Sequence, residues 1–233
     1  MSSPPPGLEE RLASVDEVVR DPPQVHPAAP AGVWDTSPAC YRFLARHCPP
    51  GARTLETGLG SSTVLFAAWG THHTCIVSSQ GEVDACLSHC KAAGIDVSRL
   101  DFRVGRSDQV LPNLDGDADG YDLFLIDGGH GFPTSIIDWY YGASRLRAGG
   151  YVVIDDTHLA QVSIALLRFL ARDPRWTRVG GRLKWAAFRR ESEGSLSEEY
   201  IHQDFLDHRF GPKRMARLGR RALSPLKRRL AKP

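Results

Sequence analysis

From residue 54 onward the chain alternates short apolar runs with longer segments whose apolar residues recur at helical spacing. The runs at 54–56, 73–77, 100–104, 121–127 and 151–155 have strand length and composition, so they predict β-strands. The segments between them, 62–69, 81–93, 133–146 and 159–171, predict helices, the third of them ended by Ala148-Gly149-Gly150. Tyr121-Asp-Leu-Phe-Leu-Ile-Asp127 is almost continuously apolar, as a strand covered on both faces should be. The last pair, 177–179 and 184–188, flanks Gly180-Gly181 and predicts a hairpin. Together these describe an α/β fold with a mostly parallel seven-stranded sheet, one antiparallel strand from the C-terminal hairpin, and helices on both faces.

The flanks read differently. Residues 1–30 are rich in proline, serine and alanine, with one short helical stretch over 8–20, and read as a mobile arm. A helix over 39–47 is stopped by Pro49-Pro50-Gly51 ahead of the first strand. The domain therefore runs over 31–190, with a C-terminal extension at 191–233.

At 233 residues, 42% hydrophobic and 24% charged, the chain has the make-up of a soluble globular protein. Its N-terminus has neither the basic nor the apolar region of a signal peptide. The five cysteines are odd in number and include no CxxC pair, which fits reduced thiols in the cytoplasm. Cys86, His89 and Cys90 share a helical face, but with no second ligand pair they read as a packed face, not a metal site. The net charge of +2 conceals nine Lys or Arg and no acid from Gly211 to Pro233, which leaves −7 for residues 1–210. That basic tail reads either as a solvated segment that aids solubility or as a contact with an anionic membrane surface, at which the protein would sit peripherally. No aromatics interleave with its charges, so specific nucleic-acid binding is not expected.

The chemistry concentrates at the carboxyl ends of the strands, where ligands of open parallel sheets gather. Thr54-Leu-Glu-Thr-Gly-Leu-Gly-Ser-Ser-Thr63 reads as strand, glycine turn and helix start. Gly58 and Gly60 allow a tight turn and close approach of a ligand. Ser61, Ser62 and Thr63 can cap the helix, whose first amides suit an anionic group. The motif lacks the third glycine of the dinucleotide fingerprint. Glu56 would repel a pyrophosphate but attract a sulfonium, which favours S-adenosylmethionine over NAD. Asp127 ends strand four and Asp155-Asp156 ends strand five. Three converging carboxylates call for a cation, and a hard divalent metal such as magnesium is the economical one.

Glu56-Thr-Gly58-Leu-Gly60-Ser-Ser-Thr, Ile126-Asp-Gly-Gly-His130 and Arg147-Ala-Gly-Gly-Tyr-Val-Val-Ile-Asp155-Asp156 together resemble the class I S-adenosylmethionine-dependent methyltransferases. The similarity is greatest to their small-molecule O-methyltransferase-like branch, of the family 24 type, and covers residues 33–190. It implies a Rossmann-like fold in which Glu56, Gly58 and Gly60 cradle the methionine half of the cofactor and Ser107 lies near the adenine. It further implies that Asp127, Asp155 and Asp156 hold a metal and that His130 serves as base. His158, beside the aspartate pair, is the second candidate base. The family's acid at the end of strand two is replaced by Ser78 or Ser79, so Ser79 is the expected ribose contact, with Glu82 as a substitute if the turn is longer. Trp34, Trp139, Tyr140, Tyr141 and Trp185 are candidate aromatic walls for the acceptor, although Trp139 and its neighbours, at helical spacing, read more readily as core. The implied activity is methyl transfer to a hydroxyl of a sugar, phenol or natural-product intermediate. The expected partners are that acceptor, the membrane surface and a second copy of the chain in a homo-oligomer. The competing reading is a catalytically degenerate cofactor-binding or partner module on the same fold.

Overall fold

The computed structural model describes residues 5–26, 36–114 and 120–193. Its strands are β1 Arg53–Thr57, β2 His72–Val77, β3 Leu100–Val104, β4 Tyr121–Ile126, β5 Leu146–Ile154, β6 Trp176–Gly181 and β7 Ala186–Arg190. They form one sheet in the order β3-β2-β1-β4-β5-β7-β6. The pairs β3-β2, β2-β1, β1-β4 and β4-β5 are parallel, whereas β7 runs against both of its neighbours. The helices are α1 Leu8–Arg20, α2 Pro38–His47, α3 Ser61–Ala68, α4 Gln80–Ala92, α5 Ser107–Val110 and α6 Thr134–Ala143. A last helical stretch is broken into α7 Ala160–Val162, a wide π-type turn Ser163–Leu167, and α8 Arg168–Leu170.

Alternate residues of the central strands feed two layers. Leu123, Leu125, Val153 and Ala187 pack with Leu44, Leu65, Phe66 and Trp69 on one face. Phe124, Ile126, Val152, Ile154 and Phe188 pack with Leu111, Val162, Leu166 and Leu170 on the other. Both faces are covered, so the strands carry no polar side and read as apolar runs.

The mobile arm expected at the N-terminus is, in its described part, a packed element. In α1 the residues Leu12, Val15 and Val18 recur at helical spacing and join the α2–α3 layer. Val15 is fully buried, which contributes about 1.5–3 kcal/mol. Arg11 Nε donates to the Ala45 carbonyl at 3.0 Å, and Trp69 Nε1 donates to Ser14 Oγ at 2.9 Å. Acids in the first turn (Glu9, Glu10) and Arg20 in the last turn complement the helix dipole. Beyond it, Val25 is buried with Leu59, Val64 and Val83 between β2 and α4.

Both glycine pairs sit inside strands, where chain breaks were expected. Gly149-Gly150 lies within β5, at a register irregularity opposite Tyr121 and Leu123. A Cβ on Gly150 would stand 3.0–3.1 Å from the carbonyl oxygens of Arg147, Asp122 and Tyr121. Gly180-Gly181 closes β6, beside an irregularity at Arg178 and Gly180, and the turn follows at 182–185. Gly149-Gly150 is a bulge and not a terminator, whereas Gly180-Gly181 ends β6 at the turn of the predicted hairpin. Cys86 and Cys90 are buried in the layer that holds Val25, and the five cysteines are free thiols. Among the described residues no helix is long and apolar enough to cross a membrane. The second unit of the chain, Glu198–Pro233, which carries the basic tail, lies outside the described residues.

Candidate functional site

The loop after β1 is shaped from beneath by Glu56. This carboxylate is fully buried and accepts hydrogen bonds from Ser62 Oγ, from Thr63 Oγ1 at 2.7 Å and from His73 Nε2 at 3.1 Å. Expected to cradle the cofactor, it spends these bonds within the protein and pins the start of α3 to β1 and β2. Two amides of the glycine turn are also engaged: Gly58 N donates to the Ile76 carbonyl and Gly60 N to Thr63 Oγ1. Gly58 has φ +89° and lies against the Asp127 backbone. Its backbone is thereby brought level with the end of β4.

A cleft of about 460 Å³ opens above this loop. Thr57, Gly58 and Leu59 form one wall, Gly105 to Asp108 another, and Asp127, Gly128 and Gly129 the third. Of the expected cofactor residues, Gly58, Ser107 and Asp127 line it, while Glu56, Gly60, Ser61 and Ser79 do not. Gly60 and Ser61 are buried in the turn, and Ser79 is the N-cap of α4. Ser78 lines the cleft in place of Ser79, together with Glu82 and His26. His26 was not legible as a site residue, because its segment carries no motif and reaches the cleft only by packing across α4.

The cleft adjoins an acidic cluster at the ends of β4 and β5. Asp127 reaches to 3.8 Å from His130 Nε2, and Asp156 Oδ2 to 3.2 Å from the same nitrogen. Asp155 is buried, and its Oδ1 completes no hydrogen bond among the described residues. Burial, then the facing Asp155 and Glu56 charges, hold the Asp127 carboxyl well above the ordinary carboxylate range. Burial likewise raises Asp155, against the pull of Thr36 and the Asp156 amide. Burial lowers His130 below the usual imidazole value, opposed by Asp156 and Asp155, so the ring is neutral at pH 7. His158 is more exposed, with Nδ1 3.7 Å from Asp156 Oδ1. Asp156 adopts a left-handed φ of 52°, which carries the chain out of β5 and turns its carboxylate toward both histidines. Lys184, in the β6–β7 turn, bears on Asp155 and His130 as the nearby cation; it was expected to be a strand residue.

Oxygen donors, excess negative charge and the unsatisfied Asp155 Oδ1 suit a hard divalent ion at Asp127, Asp155 and Asp156. Among the described residues, the group whose ligand atoms already lie within 4.8 Å of one another is instead Glu56, His73 and Cys75. There the carboxylate is saturated by its three donors, and the Cys75 thiol donates to the Gly58 carbonyl at 3.2 Å. Burial pushes that thiol well up, so it is protonated. The trio is a peg for the glycine loop, not a metal centre. Of the candidate aromatic walls, Trp139 and Tyr141 pack on the core as their helical spacing suggested, Trp185 is buried, Tyr140 is exposed, and Trp34 lies outside the described residues.

Beneath the cleft lies Asp138 of α6, fully buried. Burial pushes its carboxyl from the ordinary 3.8 up to about 6, against the pull of the Ser107 and Thr57 hydroxyls beside it. A carboxyl raised on folding contributes stability that is complete below pH 3.8 and is lost as pH rises through about 6. Above that range the buried charge costs the fold up to about 3 kcal/mol. Asp138→Asn is accordingly expected to raise Tm by several degrees at pH 7.5 and to leave it nearly unchanged at pH 4. Equal shifts at both pH values in a thermal-denaturation series would contradict this.

Residues 55–157 match the model of the methyltransferase domain family. No curated protein sequence matches the chain. Among solved structures it is similar to the O-methyltransferase TomG from Streptomyces achromogenes, involved in tomaymycin synthesis, in complex with S-adenosylmethionine. That match has 20% identity and a TM-score of 0.59, and covers 78% of this chain and 90% of that one. Podospora anserina methyltransferase PaMTH1, bound to S-adenosylhomocysteine, matches at 17% identity and TM-score 0.55 over 82% and 90% of the two chains. The O-methyltransferase from Bacillus cereus, in complex with S-adenosylhomocysteine, matches at 19% and 0.53 over 76% and 88%. Strand order, motifs and family match agree on a methyltransferase domain over residues 55–157.

Proposed function

We propose that this methyltransferase acts on a hydroxyl of a small molecule, with the donor in the cleft beside Gly58 and the acceptor over the acidic cluster. The observation that carries this reading is the position of Asp127, which lines the cleft and also stands 3.8 Å from His130 Nε2. A methyl group held in the cleft would thus meet a nucleophile held at the cluster, and such alignment supplies much of the rate gain.

His130 is the base. Asp156 accepts from Nε2–H, which leaves the lone pair on Nδ1 to take the acceptor's hydroxyl proton. The oxygen pair attacks the methyl carbon as the carbon–sulfur bond breaks, and sulfur keeps that bond's electrons. Asp127, Asp155 and Asp156 would hold a divalent ion, which when bound supplies Lewis-acid polarisation of acceptor oxygens. Lys184 offsets part of the same negative charge. Phe132 and Leu183 are 73% and 81% exposed, on the loops that carry His130 and Lys184. They offer an apolar rim, which favours a phenol or natural-product intermediate over a bare sugar. TomG and the Bacillus cereus enzyme are O-methyltransferases, which supports oxygen as the target.

Calorimetric titration tests the arrangement. S-adenosylhomocysteine is expected to bind with micromolar affinity in wild type and in Asp155→Asn alike, whereas magnesium binding should be lost in the variant. No binding of S-adenosylhomocysteine would remove the donor site and leave the degenerate module. Turnover undiminished by excess EDTA would remove the metal and retain His130.

A further inference from the structure

One stripe of α6 runs from the cleft into the core. Thr134, Asp138 and Gly142 recur every fourth residue and so share a helix face. Thr134 lines the cleft. At Gly142 the helix approaches β4 so closely that a Cβ would stand 2.2 Å from the Phe124 ring, which seats α6 tightly on the sheet. Asp138, between them, is held beside the hydroxyls of Thr57, at the end of β1, and Ser107, at the start of α5. Those two residues belong to different walls of the cleft, and Asp138 itself lies outside its lining. The carboxylate is fully buried, yet among the described residues neither of its oxygens completes a hydrogen bond, and nor does Thr57 Oγ1. Three buried oxygens with open bonding capacity thus meet where the walls join. Buried polar atoms are nearly always paired, and a carboxylate charged here at pH 7.5 destabilises the fold. An amide of the same shape would avoid that cost.

Resting on the reading of the cleft as the donor site, we propose that Asp138 is a positioning residue, a latch that closes under the bound donor. Ser107 Oγ–H donates to one carboxylate oxygen and Thr57 Oγ1–H to the other. The carboxylate then ties the β1 wall to the α5 wall from beneath. The same helix reaches the third wall, where Thr134 Cγ2 lies beside Gly129. Both bonds are charge-assisted, and they strengthen as the ligand excludes water from the cleft above them. Part of the binding free energy is therefore the closing of these two bonds. The donor meets Thr57 and Ser107, and Asp138 acts on it through them.

The test pairs calorimetric titration of S-adenosylhomocysteine into the full chain at pH 7.5 with thermal denaturation. Asp138→Asn is expected to bind about 10-fold more weakly, through loss of charge assistance from the two bonds, while its Tm rises. Affinity and stability moving in opposite directions is a result that a merely structural carboxylate would not give. Ser107→Ala should weaken binding by a similar factor in the wild-type background and by less than about twofold in Asp138→Asn, because both changes remove the same bond. Wild-type affinity in Asp138→Asn, a joint fall in its affinity and Tm, or equal losses from Ser107→Ala in both backgrounds would each overturn the latch while leaving the donor site standing. Absence of S-adenosylhomocysteine binding in wild type overturns the donor site and the latch together.

Discussion

Gly58→Ala is expected to abolish donor binding and to destabilise the fold by several kcal/mol, the largest effect among the substitutions considered. Two costs add. At φ +89° an L-residue is strained by about 1–2 kcal/mol. The new Cβ would also lie 2.3 Å from the Asp127 carbonyl oxygen and 2.7 Å from its carbon. These are backbone atoms of the seam between β1 and β4, where Asp127 N donates to the Thr57 carbonyl at 3.0 Å. They cannot retreat without opening that seam and displacing the donor-side wall and the acidic cluster together. Gly51 provides the control: its φ is +79° and no atom lies within 4 Å of its would-be Cβ. Gly51→Ala should show the strain alone. Thermal denaturation and S-adenosylhomocysteine titration of the two variants decide the matter, and a Gly58→Ala protein no worse than Gly51→Ala would refute the packing account.

His130→Ala should lower kcat by about 10²–10⁴-fold, the usual contribution of a positioned general base. S-adenosylhomocysteine affinity should be unchanged, because His130 is not part of the cleft wall. Asp156→Asn should reproduce much of the loss, since Asp156 lies 3.2 Å from His130 Nε2 and fixes which nitrogen bears the proton. His158→Ala should be mild, its ring being half-exposed and 3.7 Å from the same carboxylate. Release of S-adenosylhomocysteine over a panel of phenolic and sugar acceptors measures all three. A large loss in His158→Ala with little in His130→Ala would transfer the base to position 158.

The central strand β4 was legible because nearly every side chain in it has one task, burial in a covered sheet. The parallel run 121–126 and the strand 100–104 stand where periodicity put them. Gly149-Gly150 was misjudged for a local reason. Gly-Gly tells a reader that no side chain is tolerated, but not whether the chain is turning or being crowded from the side. At Gly150 the crowding comes from carbonyls of β4 and of the same strand. The helix over 8–20 was read correctly but taken as mobile, since the partners that bury Val15 are supplied by α2 and α3.

Site residues divide along the same line. Asp127, Asp155 and Asp156 follow directly from strand ends, because a parallel sheet delivers consecutive strand termini to one edge whatever the loops do, and His130 follows from the resemblance carried by residues 126–130. The sequence by itself thus determined the sheet, its ligand-bearing edge and the acidic cluster. Only the tertiary structure decided the direction in which Glu56 points, that Lys184 turns toward the aspartates, and that His26 and Glu82 meet across the cleft. Those outcomes depend on which side chains from distant segments compete for the same buried space and the same hydrogen bonds. Strand periodicity constrains which face a residue takes, and carries no information about its partner.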